Sequence, residues 1–239
     1  ASPVLLVSAL LLGGCPGPDA PPAWEPAFDA SGAGWLLNVA SSSDTDVWAV
    51  GGSPSDGVAW HYDGTTWSEV PVDASVPLLN WTMPFTPSEA FTVGNGGTVL
   101  RWDGASFTAM ESGTTEDLWG VWGAAPDDLW AVGGSGFPGA TATLIHYDGT
   151  SWQPETIPPL ERTDVRAFFK VWGSSASDVW VVGQRGAVLH YDGSTWEERL
   201  VGASQDLIAV WGTGPDHVVM VGGRGNGIVV TWNGSEYRT

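Results

Sequence analysis

An all-β fold, a β-propeller of four-stranded blades, is predicted by three observations. The segment Val171-Trp-Gly-Ser-Ser-Ala-Ser-Asp-Val-Trp-Val-Val-Gly183 recurs as Val121–Gly133 and, more loosely, as Val39–Gly51, Thr82–Gly94 and Val210–Gly222. Each copy leads to a second segment of the type His190-Tyr-Asp-Gly-Ser-Thr-Trp196. The equivalent turn residues Asp63, Asp103, Asp148, Asp192 and Asn233 are 40, 45, 44 and 41 residues apart, the period of a propeller blade, roughly 40–45 residues. The 33 glycines and 16 tryptophans agree with this, since aromatic residues favour strands and glycine favours tight turns.

The chain opens differently. Pro3–Gly14 is almost wholly apolar, too short to span a bilayer as a helix but suited to the apolar core of a secretory signal. With no Met and no basic segment before it, the signal reads as N-terminally incomplete. Leu12-Gly-Gly-Cys15 resembles a bacterial lipobox, which implies lipidation of Cys15, the only cysteine. Pro16–Pro22 reads as a linker. The expected organisation is therefore a lipoprotein-type signal over 1–14, a Pro-rich tether over 15–23 and a propeller over 24–239. Because Pro16 is not the Asp that retains lipoproteins at the inner membrane, the resemblance implies the outer membrane or cell surface.

Within a repeat, strand one is expected over Phe168–Trp172, strand two over Asp178–Gly183, strand three over Ala187–Tyr191 and strand four over Thr195–Arg199. Asp192-Gly193 reads as a two-residue hairpin turn, whose centre positions need positive φ. The run Val179-Trp-Val-Val does not alternate, which suits a strand covered on both faces. Trp122, Trp172 and Trp211 align in strand one, Trp48, Trp130 and Trp180 in strand two, and Trp67, Trp152 and Trp196 in strand four. A buried Trp removes about 150–250 Å² from water, so these nine are read as blade packing rather than a ligand platform. Trp24-Glu-Pro-Ala-Phe28 lines up with strand four and is expected to pair with the last blade, because a propeller hides its edges. Five copies then leave either a five-bladed ring with a redundant strand or a six- or seven-bladed ring; the abrupt end of the chain favours the latter.

The Asp-Gly-x-x-Trp hairpin resembles the Asp-box of sialidase-like BNR propellers, with two departures: Asp and Gly are adjacent, and the leading Ser is absent. The whole unit resembles repeats of myxobacterial surface lipoproteins, which are similar to photosynthesis-assembly-factor-like and Kelch-like propellers. The resemblance covers about residues 24–239 and implies architecture more than activity, because propellers host many functions.

Charge narrows the partners. With 27 Asp+Glu against 8 Lys+Arg and a net charge of −19, nucleic acid is excluded as a partner, since phosphate binding needs clustered cations. A membrane is expected only through the lipid on Cys15. The sialidase resemblance implies an arginine triad and a Phe-Arg-Ile-Pro signature; the signature is absent and no motif singles out three of the seven arginines. His61, His146 and His190 share one register in separate blades and are read as structural. Asp44, Asp46, Asp127 and Asp128 are read as turn residues, and neither metal nor cofactor is expected. The strand-two to strand-three loops and the blade-to-blade links vary between copies, and function is commonly carried by loops on a rigid scaffold. Phe137, Lys170, Arg185 and Arg224 are therefore the candidate binding face. The reading is a non-catalytic protein- or glycan-binding scaffold at the cell envelope; a lectin with one pocket per blade and a sialidase-like glycoside hydrolase are the alternatives.

Overall fold

The structure, a computed structural model, describes residues 26–239. The signal expected over 1–14, Cys15, the tether over 15–23 and Trp24 lie outside the described residues. The chain folds into five antiparallel sheets of four strands, each sheet ordered as the chain runs. Blade one comprises β1 (Trp35–Ser43), β2 (Asp46–Ser53), β3 (Asp56–Tyr62) and β4 (Trp67–Val70). Blade two comprises β5 (Leu79–Thr86), β6 (Glu89–Gly94), β7 (Val99–Trp102) and β8 (Phe107–Met110). Blade three comprises β9 (Leu118–Ala125), β10 (Asp128–Gly133), β11 (Thr143–Tyr147) and β12 (Trp152–Pro154). Blade four comprises β13 (Phe168–Ser175), β14 (Asp178–Gly183), β15 (Val188–Tyr191) and β16 (Trp196–Glu198). Blade five comprises β17 (Leu207–Gly214), β18 (His217–Gly222), β19 (Ile228–Trp232) and β20 (Tyr237–Arg238). The first strand of each blade packs on the first strand of the next, in chain order.

The unbroken apolar runs are explained by this stacking. Val179, Trp180, Val181 and Val182 of β14 are all buried, because blades three and five cover opposite faces of the strand. One aromatic contact recurs at each boundary. Trp48 lies 5.2 Å from Trp102 and 5.6 Å from Phe107 of blade two, and Phe91 lies 5.7 Å from Tyr147 of blade three. Trp130 lies 5.1 Å from Tyr191 and 5.0 Å from Trp196 of blade four, and Trp180 lies 6.2 Å from Trp232 and 6.4 Å from Tyr237 of blade five. Thus the strand-two aromatic of one blade fills the gap beside two aromatics at the strand-three to strand-four turn of the next. Trp152 and Trp196 are buried with these, while Trp67, Trp122 and Trp172 are half-buried.

A second contact joins the inner strands. A Cβ on Gly173 would lie 2.5 Å from the Trp122 ring, and one on Gly212 would lie 2.6 Å from the Trp172 ring. The Val-Trp-Gly signature is therefore two halves of an interlock: the Trp of one blade rests on the Gly of the next.

Two expectations about the chain ends need correction. Phe28 does not join the last blade. It stacks 4.8 Å from both Trp60 and Trp67 of blade one, on the side where a preceding blade would insert its strand-two aromatic. Trp211 is not in the core: it is 62% exposed, because no blade follows on that face among the described residues.

The histidines are held by carboxylates, two of which, Asp46 and Asp128, were expected in turns. Asp46, Asp128 and Asp178 open strand two, and their Oδ1 atoms meet Nε2 of His61, His146 and His190 at 2.6, 2.7 and 2.7 Å. Each imidazole lies 4.1–4.3 Å from the ring of Trp48, Trp130 or Trp180. Ser42 and Ser174 add hydroxyl hydrogen bonds to Asp46 and Asp178. Blade two keeps the geometry with other groups: Arg101 donates to Glu89 at 2.8 Å and sits over Phe91. These pairs tie strand two to strand three beneath the aromatic contact.

The Asp-Gly turn also differs from expectation. It is a four-residue loop rather than a two-residue hairpin, and only its glycine has positive φ, 86–94° across the five copies. The Asp carboxylate, or the Asn233 amide oxygen, accepts the N–H groups of the residues two and three further on. A Cβ on these glycines would lie 2.4–3.0 Å from Thr45, Ser88, Asp127, Ser177 or Asp216 in the turn between strands one and two. The two turn sets rest on each other, which accounts for their nearly constant length. Chiefly the Thr195 N–H, with the Ser194 hydroxyl and N–H, brings the Asp192 carboxyl down to about 2.

Two outcomes are expected. Trp180→Ala should lower unfolding free energy by about 3–5 kcal/mol, read by denaturant titration. Because Asp192 is depressed in the folded state, its stabilisation is present above the ordinary carboxyl value and lost as pH falls through about 2. Asp192→Asn keeps the acceptor, as Asn233 does, and should make the fall in thermal midpoint between about pH 4 and pH 2 shallower.

Candidate binding face at the channel mouth

Strand one of every blade starts on the face that carries the strand-two to strand-three loops and the blade links, because its first residue pairs with the last residue of strand two, as Phe168 does with Gly183. Residues at these starts line the mouth of the central channel. Lys170, the only lysine, leaves β13 and crosses blade three at Gly120, where a Cβ would lie 3.2–3.4 Å from the Phe169–Val171 backbone. Its Nζ donates to the Trp119 carbonyl at 2.5 Å and lies 3.9 Å from the centre of the Trp81 ring. The side chain thus spans three blades. Burial pulls its amine down to about 7, since nothing anionic compensates for lost water.

Two arginines edge the mouth. Arg224, in the β18–β19 loop, donates from Nε to Asp206 at 3.0 Å, and its guanidinium carbon lies 5.4 Å from the Phe169 ring centre. Arg185, in the β14–β15 loop, pairs with Asp164 of the blade link at 2.6 Å. Its backbone N–H donates to Asp206 at 3.0 Å. Arg185 is the only non-glycine residue at positive φ among the described residues, at 57°. The equivalent residue of blade two is Gly96, whose N–H donates in the same way to Asp117. The conformation is therefore dictated by the latch to the next blade, and a side chain is carried there at a strain of about 1–2 kcal/mol. Phe137, in the longest such loop, is 78% exposed. Its backbone N–H turns back on Ser135.

Lys170 thus meets the Trp81 ring and the Trp119 carbonyl, Arg224 meets Phe169, Arg185 stands beside Arg224 through the shared Asp206, and the loop of Phe137 borders the same hollow as Arg185 through Gly136. Trp81, Trp119 and Phe169 were missed in the sequence. Their signal was a departure from the repeat: the same two registers hold Leu37-Asn38 in blade one and Ile208-Ala209 in blade five. With Arg162 and Arg166 in the link before β13, five of the eight basic residues fall on this face of blades four and five. The remaining arginines lie elsewhere: Arg101 pairs with Glu89, Arg199 with Glu197 and Arg238 with Glu236.

No family model matches the chain, and no curated protein matches it. Solved structures do. YCF48 bound to D1 peptide is 20% identical at a TM-score of 0.58, over 86% of this chain and 67% of that one. The WD40 β-propeller domain of Doa1 is 8% identical at 0.64, over 84% and 67%. U3-55K is 10% identical at 0.62, over 84% and 62%. The likeness is one of fold: the chain is a β-propeller, and it spans about two thirds of the length of these structures.

The buried amine makes a prediction. The folded state favours neutral Lys170, so stability is full above the ordinary lysine value and declines as pH falls towards about 7. The thermal midpoint should rise between pH 7 and about 9.5, and Lys170→Met should flatten that rise, as followed by circular dichroism.

Proposed function

We propose that this chain is a non-catalytic binding module that takes an extended segment of a partner protein across the channel mouth. The observation that carries this is the pair of cation–ring contacts on the mouth, Lys170 over Trp81 and Arg224 over Phe169. Aromatic surface supplies contact area at low entropic cost, and the guanidinium of Arg224, which stays charged where the buried Lys170 amine does not, fixes an acidic group. The loops around the mouth differ from blade to blade, which suits one asymmetric ligand and disfavours a lectin with a repeated glycan pocket. Arg185, Arg224, Arg101, Arg199 and Arg238 each engage a carboxylate on separate loops and strands, which disfavours a sialidase-like triad. The solved complex of YCF48 with a peptide adds support by showing that this fold can present a peptide site.

The module acts at the cell envelope in this reading, exported and held on the outer membrane or cell surface by a lipid on Cys15. The composition of the signal and tether supports it. Labelled palmitate should be incorporated into the wild-type chain and not into Cys15→Ser.

The test of binding is a pull-down from outer-membrane extract followed by affinity measurement with the captured protein. Replacing Arg185 and Arg224 together by Glu should weaken binding at least tenfold while leaving the circular dichroism spectrum unchanged. Undiminished binding would overturn the assignment of this face, and binding only on a glycan array would replace the protein partner with a carbohydrate.

A further inference from the structure

A hollow of about 630 Å³ opens on the same face as the mouth, on the rim of blade three. Its walls are the link from β8 to β9, the end of the β10–β11 loop, the start of β11, Pro154 at the end of β12 and Ile157 beyond it. Leu144, Pro154 and Ile157 make one side apolar, Thr115 and Thr141 bring hydroxyls, and Glu111 and Glu116 bring carboxylates. Among the described residues, no lysine, arginine or histidine borders it. The hollow adjoins the mouth through Trp119, whose carbonyl receives Lys170. The Trp119 Nε1 donates at 2.6 Å to the Gly134 carbonyl, at the root of the β10–β11 loop. At the far end of that loop the Thr141 N–H donates to Glu116 at 3.3 Å.

These carboxylates are a departure from the repeat. The link into blade five has the same length and follows the same path, with Gly186 packed on Ala203 as Gly97 is packed on Thr114. Yet it carries Leu200, Val201 and Gln205 where the link into blade three carries Glu111, Ser112 and Glu116. The neighbouring Asp117 and Asp206 accept the loop latches. Glu111 and Glu116, by contrast, enter no ion pair among the described residues. Charge is thereby sorted across the face: Arg162, Arg166, Arg185 and Arg224 stand over blades four and five, and the two glutamates stand at blade three.

We infer that the hollow seats a lysine or arginine side chain of the partner segment, while an acidic residue of the same segment meets Arg224, so that the segment crosses the mouth in one direction. The inference rests on the reading of the mouth as a peptide site. A basic side chain fits the hollow on two counts. Its aliphatic stem covers the apolar wall while its head stays at the rim, and that head donates charge-assisted hydrogen bonds to carboxylate oxygens. A reversed segment would set like charges against each other at both ends, which selects against it.

The probe is a phage-displayed library of random peptides of fixed length, selected on the full chain. Selected peptides should carry a basic and an acidic residue in one fixed order. Replacing Glu111 and Glu116 together by Gln should weaken the best of them roughly tenfold, with an unchanged circular dichroism spectrum. Replacing the basic residue of the peptide by Gln should weaken binding to the wild-type chain equally and add nothing on the Gln variant, because both changes remove one interaction. Peptides whose binding is lost with Arg185→Glu and Arg224→Glu but is indifferent to Glu111→Gln and Glu116→Gln overturn this inference and leave the peptide site standing. Selected peptides without a basic residue do the same. A library from which nothing binds overturns both.

Discussion

The structure depends on one directional contact: an aromatic residue in the second strand of each blade inserted beside two aromatics of the next. Each sheet alone is a four-stranded ribbon whose two faces are both apolar. Stacking removes both from water at once, and a buried Trp contributes very roughly 4–6 kcal/mol by the area it loses. The other recurrent features serve this contact. The Asp–His pairs fix the imidazole that lies flat on Trp48, Trp130 or Trp180. The Asp-Gly loop ends where the receiving aromatics begin, as at Asp192 between Tyr191 and Trp196.

The loops at the two ends of the molecule are held in different ways. At one end, the Asp-Gly loops sit on the turns between strands one and two with no room for a Cβ. At the other, a hydrogen bond latches Gly96 to Asp117 and Arg185 to Asp206, and the glycine that follows packs on the next blade's link, where a Cβ would lie 2.1 Å from Thr114 at Gly97 and 2.3 Å from Ala203 at Gly186. A loop held by its backbone leaves its side chain free to change. That is why residue types diverge on the channel-mouth face while lengths and residues persist opposite.

The repeat made most of the strand boundaries readable, because Val-Trp-Gly and Asp-Gly-x-x-Trp mark the start and the last turn of every blade. What could not be read residue by residue was partnership. Asp46 looked like a turn residue and His61 like an isolated core residue. Their pairing is visible only when copies are compared: blade two changes both members, to Glu89 and Arg101, and blade five changes both again, to His217 and Thr231. Trp211 reads like Trp122 and Trp172, but burial is set by the neighbour, not by the residue. Lys170 could be placed on strand one, whereas its reach past Gly120 to Trp81 depends on blade-to-blade distance, which no local pattern encodes. The Asp-Gly turn was misjudged because the favoured two-residue hairpin has the same dipeptide; the Asp that accepts two N–H groups makes the longer loop the better solution.

Phe28 has a consequence for how such a chain grows. Every internal blade both gives an aromatic and receives one, so a copied blade arrives with both halves of its joint and can be spliced between two others without redesigning either. Only the first position breaks this rule, since Trp60 and Trp67 receive their ring from a short lead-in rather than from a sheet. Blade one is thus bonded on that side by a peptide segment, where the other described blades are bonded by sheets.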